Sequence, residues 1–177
     1  MQIHDKEFTI LINEHEILNR VAKLGAELTI KYIDKNPLFV IILNGAFVFG
    51  ADLIRNFKGE CELYFTRIRS YSGTSSGELK DFTGFDASLE NRHIVFVEDI
   101  IDTGKTIYHL ITEIKNFNPA SITTVTFLQK KILRPHLISA DFVGFEIEDE
   151  FVVGYGLDYD GLGRNLNAIW KTANVAK

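Results

Sequence analysis

Apolar positions follow two rhythms along the chain, one helical and one continuous. Ile17, Val21, Leu24, Leu28 and Tyr32 recur at helical spacing, so one stripe of a helix faces a core. Asn13-Glu14-His15-Glu16 supplies its start, with Asn13 as cap and Glu16 reaching back to it. Asn36-Pro37 then breaks the chain. Leu38 to Leu43 is an unbroken apolar run rich in β-branched residues, the mark of a strand covered on both faces. Asn44-Gly45 is a turn, Ala46 to Phe57 suits a helix, and Glu62 to Ile68 alternates as a strand. Ile94 to Val97 reads as a second buried strand, Asp99 to Lys105 as a polar turn, and Thr106 to Phe117 as a helix. In that helix Ile107, Leu110, Ile111 and Ile114 share a face, and Asn118-Pro119 ends it. Strands follow at Ile122 to Leu128, Phe142 to Phe145 and Phe151 to Gly154, with a loop at Pro135.

Alternation of strand and helix predicts an α/β fold, a central and mainly parallel sheet with right-handed crossovers flanked by helices. A chain of 177 residues fits one domain, 1–177, with enough length to bury a core. In such sheets ligands bind beyond the carboxyl ends of the strands. Three unusual stretches lie at such ends: Asn44-Gly45, Glu98 to Thr106, and Lys130-Lys131. Ser70 to Ser88 is rich in Ser, Gly, Thr and Asp and poor in apolar residues. It is expected to be a long loop or flexible hairpin, and loops of that length are usually functional or mobile.

Composition narrows the partners. The formal net charge is -5, which gives no general attraction for nucleic acid or an anionic membrane. Any bound phosphate must be held locally, by backbone amides, a metal or a few placed cations. Cys61 is the only cysteine, so no intramolecular disulfide forms and a reducing compartment is the simplest home. Met1 to Lys6 has no secretory apolar segment, and no apolar run is long enough to span a membrane. A cytoplasmic protein is expected. His4, His15, His93, His109 and His136 show no metal-ligand spacing, and Trp170 reads as a packing residue.

The chemistry concentrates in Val95-Phe96-Val97-Glu98-Asp99-Ile100-Ile101-Asp102-Thr103-Gly104-Lys105-Thr106. An apolar strand delivers two adjacent acids, and a short turn carries a third acid, hydroxyls and a glycine before a helix begins. The first amides of a helix are unpaired and favour an anion, so Thr103 to Thr106 form a monophosphate cup. Carboxylates there would repel a bare anion. They make sense if they hold sugar hydroxyls, position a metal or move a proton. Gly104-Lys105-Thr106 also matches the end of a nucleoside triphosphate P-loop, but that motif needs glycine where Asp99 stands. The bland alternative, acids decorating a turn with Asp102 capping the helix, accounts poorly for three acids together.

This segment resembles the phosphoribosyl pyrophosphate motif of the type I phosphoribosyltransferases. Its Glu-Asp-Ile-Ile-Asp-Thr-Gly-Lys-Thr form resembles that of the hypoxanthine-guanine phosphoribosyltransferases, and the similarity runs from about Leu38 to Leu166. The resemblance implies that fold, with a small hood region and a flexible catalytic loop. It implies transfer of the phosphoribosyl group of 5-phosphoribosyl 1-pyrophosphate to hypoxanthine or guanine, giving IMP or GMP and pyrophosphate. Glu98 and Asp99 inherit the ribose hydroxyls, Asp102 inherits proton transfer near purine N7, and Asp102, Thr103, Gly104, Lys105 and Thr106 inherit the 5′-phosphate.

Leu43-Asn44-Gly45 resembles the family's pyrophosphate loop, which has a non-proline cis peptide, and Arg164 resembles an arginine that contacts pyrophosphate. Asn44 stands where a lysine is common. Ser70-Tyr71 resembles the pair on the loop that closes over the site. Lys130 resembles the lysine that bonds purine O6, and Phe151-Val152 the pair that stacks on the base and offers backbone groups to its edge. Asp158 resembles an aspartate beside the purine that reaches a pyrophosphate-bound Mg²⁺ largely through water, with Glu98 and Asp99 as further acids near the metal. Glu150 replaces a common lysine, and Gly161 to Gly163 is a glycine-rich variant. A homodimer or homotetramer is the family expectation.

Two rival readings share the fold. Some nucleic-acid-binding regulators of this fold lack the turn acid or carry a basic face, whereas here Asp102 is kept and the chain is acidic. A pyrimidine or adenine enzyme fits Lys130 poorly, because an ammonium donor prefers an O6 acceptor to an exocyclic amine. The choice among hypoxanthine, guanine and xanthine stays open, as does dimer against tetramer.

Overall fold

The computed structural model describes residues 1–67, 88–131 and 139–173. Its strands are β1 (Gln2–Ile3), β2 (Lys6–Ile12), β3 (Leu38–Leu43), β4 (Glu62–Arg67), β5 (His93–Ile101), β6 (Ser121–Lys130), β7 (Phe142–Ile147), β8 (Val152–Val153) and β9 (Ile169–Thr172). Its helices are α1 (Glu14–Tyr32), α2 (Phe47–Asn56) and α3 (Lys105–Ile114). Ser70 and Tyr71, with most of the stretch they open, lie outside the described residues, as does the loop at Pro135.

The larger sheet has five strands in the order β4-β3-β5-β6-β7, all parallel. The chain steps outward from β3 to β4, then returns to the other side of β3 with β5. That reversal makes a switch point, where neighbouring loops part and leave a crevice. β3 and β5 pair from Leu38↔Ile94 to Ile41↔Val97, so the Leu43-Asn44-Gly45 loop leaves the sheet beside the Glu98-Asp99 acids of β5.

Each face of this sheet is covered. Phe39, Ile41, Val95, Val97, Val125 and Phe127 pack with Ile17, Val21, Leu24 and Leu28 of α1 and Phe49 and Leu53 of α2. Leu38, Val40, Ile42, Ile94 and Phe96 pack with Ile107, Leu110 and Ile114 of α3. Double burial explains the unbroken apolar run of β3. The expected cap of α1 forms: Glu16 N–H donates to Asn13 Oδ1 at 3.0 Å, and Asn13 N–H donates to Glu16 Oε2 at 3.0 Å. Such a cap is worth about 1 kcal/mol.

Three local expectations need correction. Pairing of β5 with β6 continues to Ile101↔Gln129, so Glu98 and Asp99 are strand residues and the polar turn begins only at Asp102. The last helix, expected to reach Phe117, stops at Ile114, and Lys115–Phe117 tightens into a 3₁₀ turn ended by Asn118 at φ 52. Phe151 precedes β8 rather than opening it.

A second, smaller sheet has the order β1-β2-β9-β8, antiparallel throughout. The sequence pattern identified only β8 of these strands. Ile3, Phe8 and Val153 form its core, with Tyr159, Leu166 and Trp170 packed against them. It matches the small hood region that the resemblance implied. Among the described residues no helix is long and apolar enough to cross a membrane.

Candidate active site at the switch point

The crevice between β3 and β5 holds a cavity of about 370 Å³, within the range of small-ligand sites. Three segments line it. The first is Ile42 to Gly45, at the end of β3. The second runs from Glu98 through Gly104 and continues with Thr106 and Ile107 of α3. The third is the loop after β8, which contributes Asp158 and Arg164.

Gly104 precedes α3 at φ 70, a left-handed conformation that glycine adopts without strain. No side chain caps α3, so its first amides stay open toward the crevice. Asp102 therefore does not serve as the helix cap. Thr103, Gly104 and Thr106 line the cavity, while Lys105 is exposed and does not.

Gly45 and Asp99 meet closely. A Cβ on Gly45 would overlap the Asp99 carboxylate, so a larger residue there would push that acid aside from its place over the loop. The Leu43–Asn44 peptide is cis, as the resemblance implied. Asn44 is exposed and lines the cavity. On the opposite wall Arg164 is engaged twice, at 2.6 Å from Asp158 Oδ1 and donating to the Gly156 carbonyl at 2.7 Å. Asp158 also accepts from Gly161 N–H at 2.8 Å.

Glu98 is 7% exposed. Burial, and then the Asp99 carboxylate beside it, push its carboxyl well above the usual carboxylate range. Above the ordinary value of 4.5 the unfolded chain ionises at this position while the folded chain keeps its proton. The folded state then binds more protons, so stability falls as pH rises through that window. Glu98→Gln is expected to raise Tm at pH 8, with the gain shrinking toward pH 4.5. Thermal melts of the ligand-free protein across pH check this; a variant no more stable than wild type at pH 8 would contradict it.

Lys130 ends β6, next to β5. Its ammonium lies 2.9 Å from Asp149 Oδ1 and 3.9 Å from Asp102 Oδ2. Lys130 reaches the cavity only through Asp102, and neither it nor Phe151 nor Val152 lines the cavity. Phe151 is 44% exposed, and its ring meets Tyr159 edge-on with centroids 5.4 Å apart. Thr172 N–H donates to the Phe151 carbonyl, and Val152 pairs with Lys171. In this antiparallel register the Val152 amide and carbonyl point away from β9, off the sheet edge. Glu150 accepts from Lys171 at 2.6 Å, so its charge is answered within the small sheet. Asp149 escaped the sequence reading because its link to Lys130 depends on how the segment after β7 returns past β6, which no local pattern records.

A parallel sheet with an open helix start and grouped carboxylates at its switch point defines an α/β protein with an anion-compatible ligand crevice. The chain belongs to the phosphoribosyl transferase domain family, whose profile matches residues 9–160. A hypoxanthine-guanine phosphoribosyltransferase of Bacillus subtilis (strain 168) is 47% identical over 168 residues, covering 94% of this chain and 93% of that protein. One from Streptococcus thermophilus (strain CNRZ 1066) is 40% identical, covering 89% of this chain and 88% of that protein. The crystal structure of a hypoxanthine phosphoribosyltransferase from Staphylococcus aureus superposes with a TM-score of 0.86 at 37% identity, covering 96% of this chain and 92% of that one.

Proposed function

We propose that this protein transfers the phosphoribosyl group of 5-phosphoribosyl 1-pyrophosphate to a 6-oxopurine, hypoxanthine or guanine, in purine salvage. The products are IMP or GMP and pyrophosphate. The observation that carries this reading is the meeting of Asp102, Lys130 and the open start of α3 at the ends of adjacent strands. An acid for a ring nitrogen, a cation for a 6-oxo group and an anion cup for a sugar phosphate stand together there.

A purine nitrogen displaces pyrophosphate at the sugar C1, through a transition state with oxocarbenium character, as in glycoside chemistry. Thr103, Gly104 and Thr106, with the amides around Lys105, hold the 5′-phosphate. Glu98 and Asp99 orient the ribose hydroxyls, which keeps C1 in line with the incoming nitrogen. Asp102 takes the proton lost from the base. Lys130 donates to O6, Phe151 stacks on the ring, and the outward backbone groups of Val152 meet its edge, with Asp158 nearby. Leu43, Asn44, Gly45 and Arg164 receive pyrophosphate. Ser70 and Tyr71 belong to the segment assigned to closure over the site.

Among the described residues no group of three or more acids, histidines or cysteines could hold a metal alone. Mg²⁺ commonly binds through one or two carboxylates plus substrate phosphates, and Asp99 and Asp158 offer that donor set on the cavity wall. Buried Glu98 suits a sugar hydroxyl better than direct contact with a cation. When bound, Mg²⁺ supplies charge neutralisation for the departing pyrophosphate. One domain spanning 1–177, a homodimer or homotetramer, and a cytoplasmic home complete the reading; the single Cys61 supports the last.

The test is a panel of hypoxanthine, guanine, xanthine and adenine with phosphoribosyl pyrophosphate, following pyrophosphate release. Activity on 6-oxopurines that disappears on chelation and returns with Mg²⁺ is expected. Release with adenine alone, or full activity after chelation, would overturn the substrate or the metal assignment.

A further inference from the structure

Two walls enclose the pyrophosphate side of the cavity, and one partly buried hydrogen bond ties the elements behind them. Tyr155 opens the loop that carries Asp158 and Arg164. It is 5% exposed, and its hydroxyl donates to Asp52 Oδ2 on α2 at 2.7 Å. α2 grows directly out of the other wall, since Ala46 N–H donates to the Ile42 carbonyl and Gly50 N–H to the Ala46 carbonyl. The bond therefore joins the helix behind Leu43-Asn44-Gly45 to the loop opposite.

The backbone around Tyr155 needs such a tie. Tyr155 has φ 49 between Gly154 at φ 103 and Gly156 at φ 105. A bulky residue in the left-handed region persists only where its surroundings hold it. Its ring packs on Phe127 with centroids 4.8 Å apart, and its N–H donates to the Leu166 carbonyl at 2.8 Å. The next residue forms the contact between the walls: a Cβ on Gly156 would overlap the Gly45 carbonyl. Gly156 also bonds Arg164 in both directions, donating to its carbonyl and accepting from its guanidinium. Movement of Tyr155 would displace Gly156, and with it both the Gly45 contact and the Arg164 anchor.

We propose that Tyr155 and Asp52 are a positioning pair that fixes the spacing of the two walls and so sets affinity for pyrophosphate and phosphoribosyl pyrophosphate without touching either. The inference rests on the assignment of those walls to pyrophosphate.

The test compares Tyr155→Phe, Asp52→Asn, Asp52→Ala and Arg164→Gln in the full chain with Mg²⁺. Calorimetry gives the Kd for pyrophosphate, and steady-state kinetics give KM for phosphoribosyl pyrophosphate and hypoxanthine. Tyr155→Phe and Asp52→Ala are expected to weaken both phosphorylated ligands by about three- to tenfold, the effect of losing part of a charge-assisted bond. The KM for hypoxanthine should stay within about twofold, and Asp52→Asn should restore near-normal values because its amide oxygen still accepts. A parallel rise in the hypoxanthine KM, no change in either phosphorylated ligand, or Asp52→Asn as damaging as Asp52→Ala would overturn the pair. If Arg164→Gln leaves pyrophosphate affinity intact, the wall assignment fails and the inference falls with it. If Arg164→Gln weakens binding while Tyr155→Phe does not, only the positioning pair is lost.

Discussion

Asp102→Asn is expected to lower kcat by about 10² to 10⁴, while KM for phosphoribosyl pyrophosphate changes little. Asparagine keeps the size of the side chain but cannot take up a proton. Asp102 follows β5 in the turn before α3 and is half exposed, 3.9 Å from the Lys130 ammonium, so the loss should fall on chemistry more than on stability. The phosphate cup should survive, because Gly104 and the open amides of α3 shape it. Steady-state kinetics across neutral pH, with pyrophosphate binding as a control, decide the matter. Wild-type turnover in the variant would remove Asp102 as the base, and an equal loss of pyrophosphate affinity would make it a binding residue.

Lys130→Ala is expected to lose most activity on hypoxanthine and guanine and to narrow their lead over adenine. The lysine side chain is only 15% exposed. Adenine would bring an amino donor against an ammonium donor, and a buried polar group without a partner costs about 1 to 3 kcal/mol, more when charged. A site built around one hydrogen bond rejects its mismatch strongly. The ratio of kcat/KM for hypoxanthine over adenine, wild type against variant, is the measurement. An unchanged ratio would shift the assignment to backbone groups near Val152, or to Lys131, which is half exposed and pairs with Glu148 at 3.1 Å.

What the sequence made legible follows from how local each signal is. β3 could be read because both its faces are buried, so every residue from Leu38 to Ile42 is apolar. The cap of α1 could be read because Asn13 and Glu16 lie within one turn. Glu98, Asp99, Asp102 and Thr103 to Thr106 fall within one short stretch of chain, so their grouping survived without coordinates. β2 was missed for the opposite reasons. Ile10 is 54% exposed, the register shifts between Ile10 and Ile12, and the partner strand β9 lies at the far end of the chain. The contacts of Gly45 with Asp99, Gly156 with Gly45 and Lys130 with Asp149 also join distant segments. Strand register and loop packing create them, and neither leaves a periodic trace.

Trp170 is the chain's single tryptophan, and it packs against the core of the small sheet. Among the described residues its indole N–H is buried without a hydrogen-bond partner. Intrinsic tryptophan fluorescence therefore reports on the small sheet alone, because the larger sheet carries no competing indole. Far-ultraviolet dichroism is dominated by the larger sheet and its helices. The protein thus contains two separable optical signals, one for each sheet, with no added label. Emission that shifts before the dichroism changes would mark the small sheet as the part that yields first.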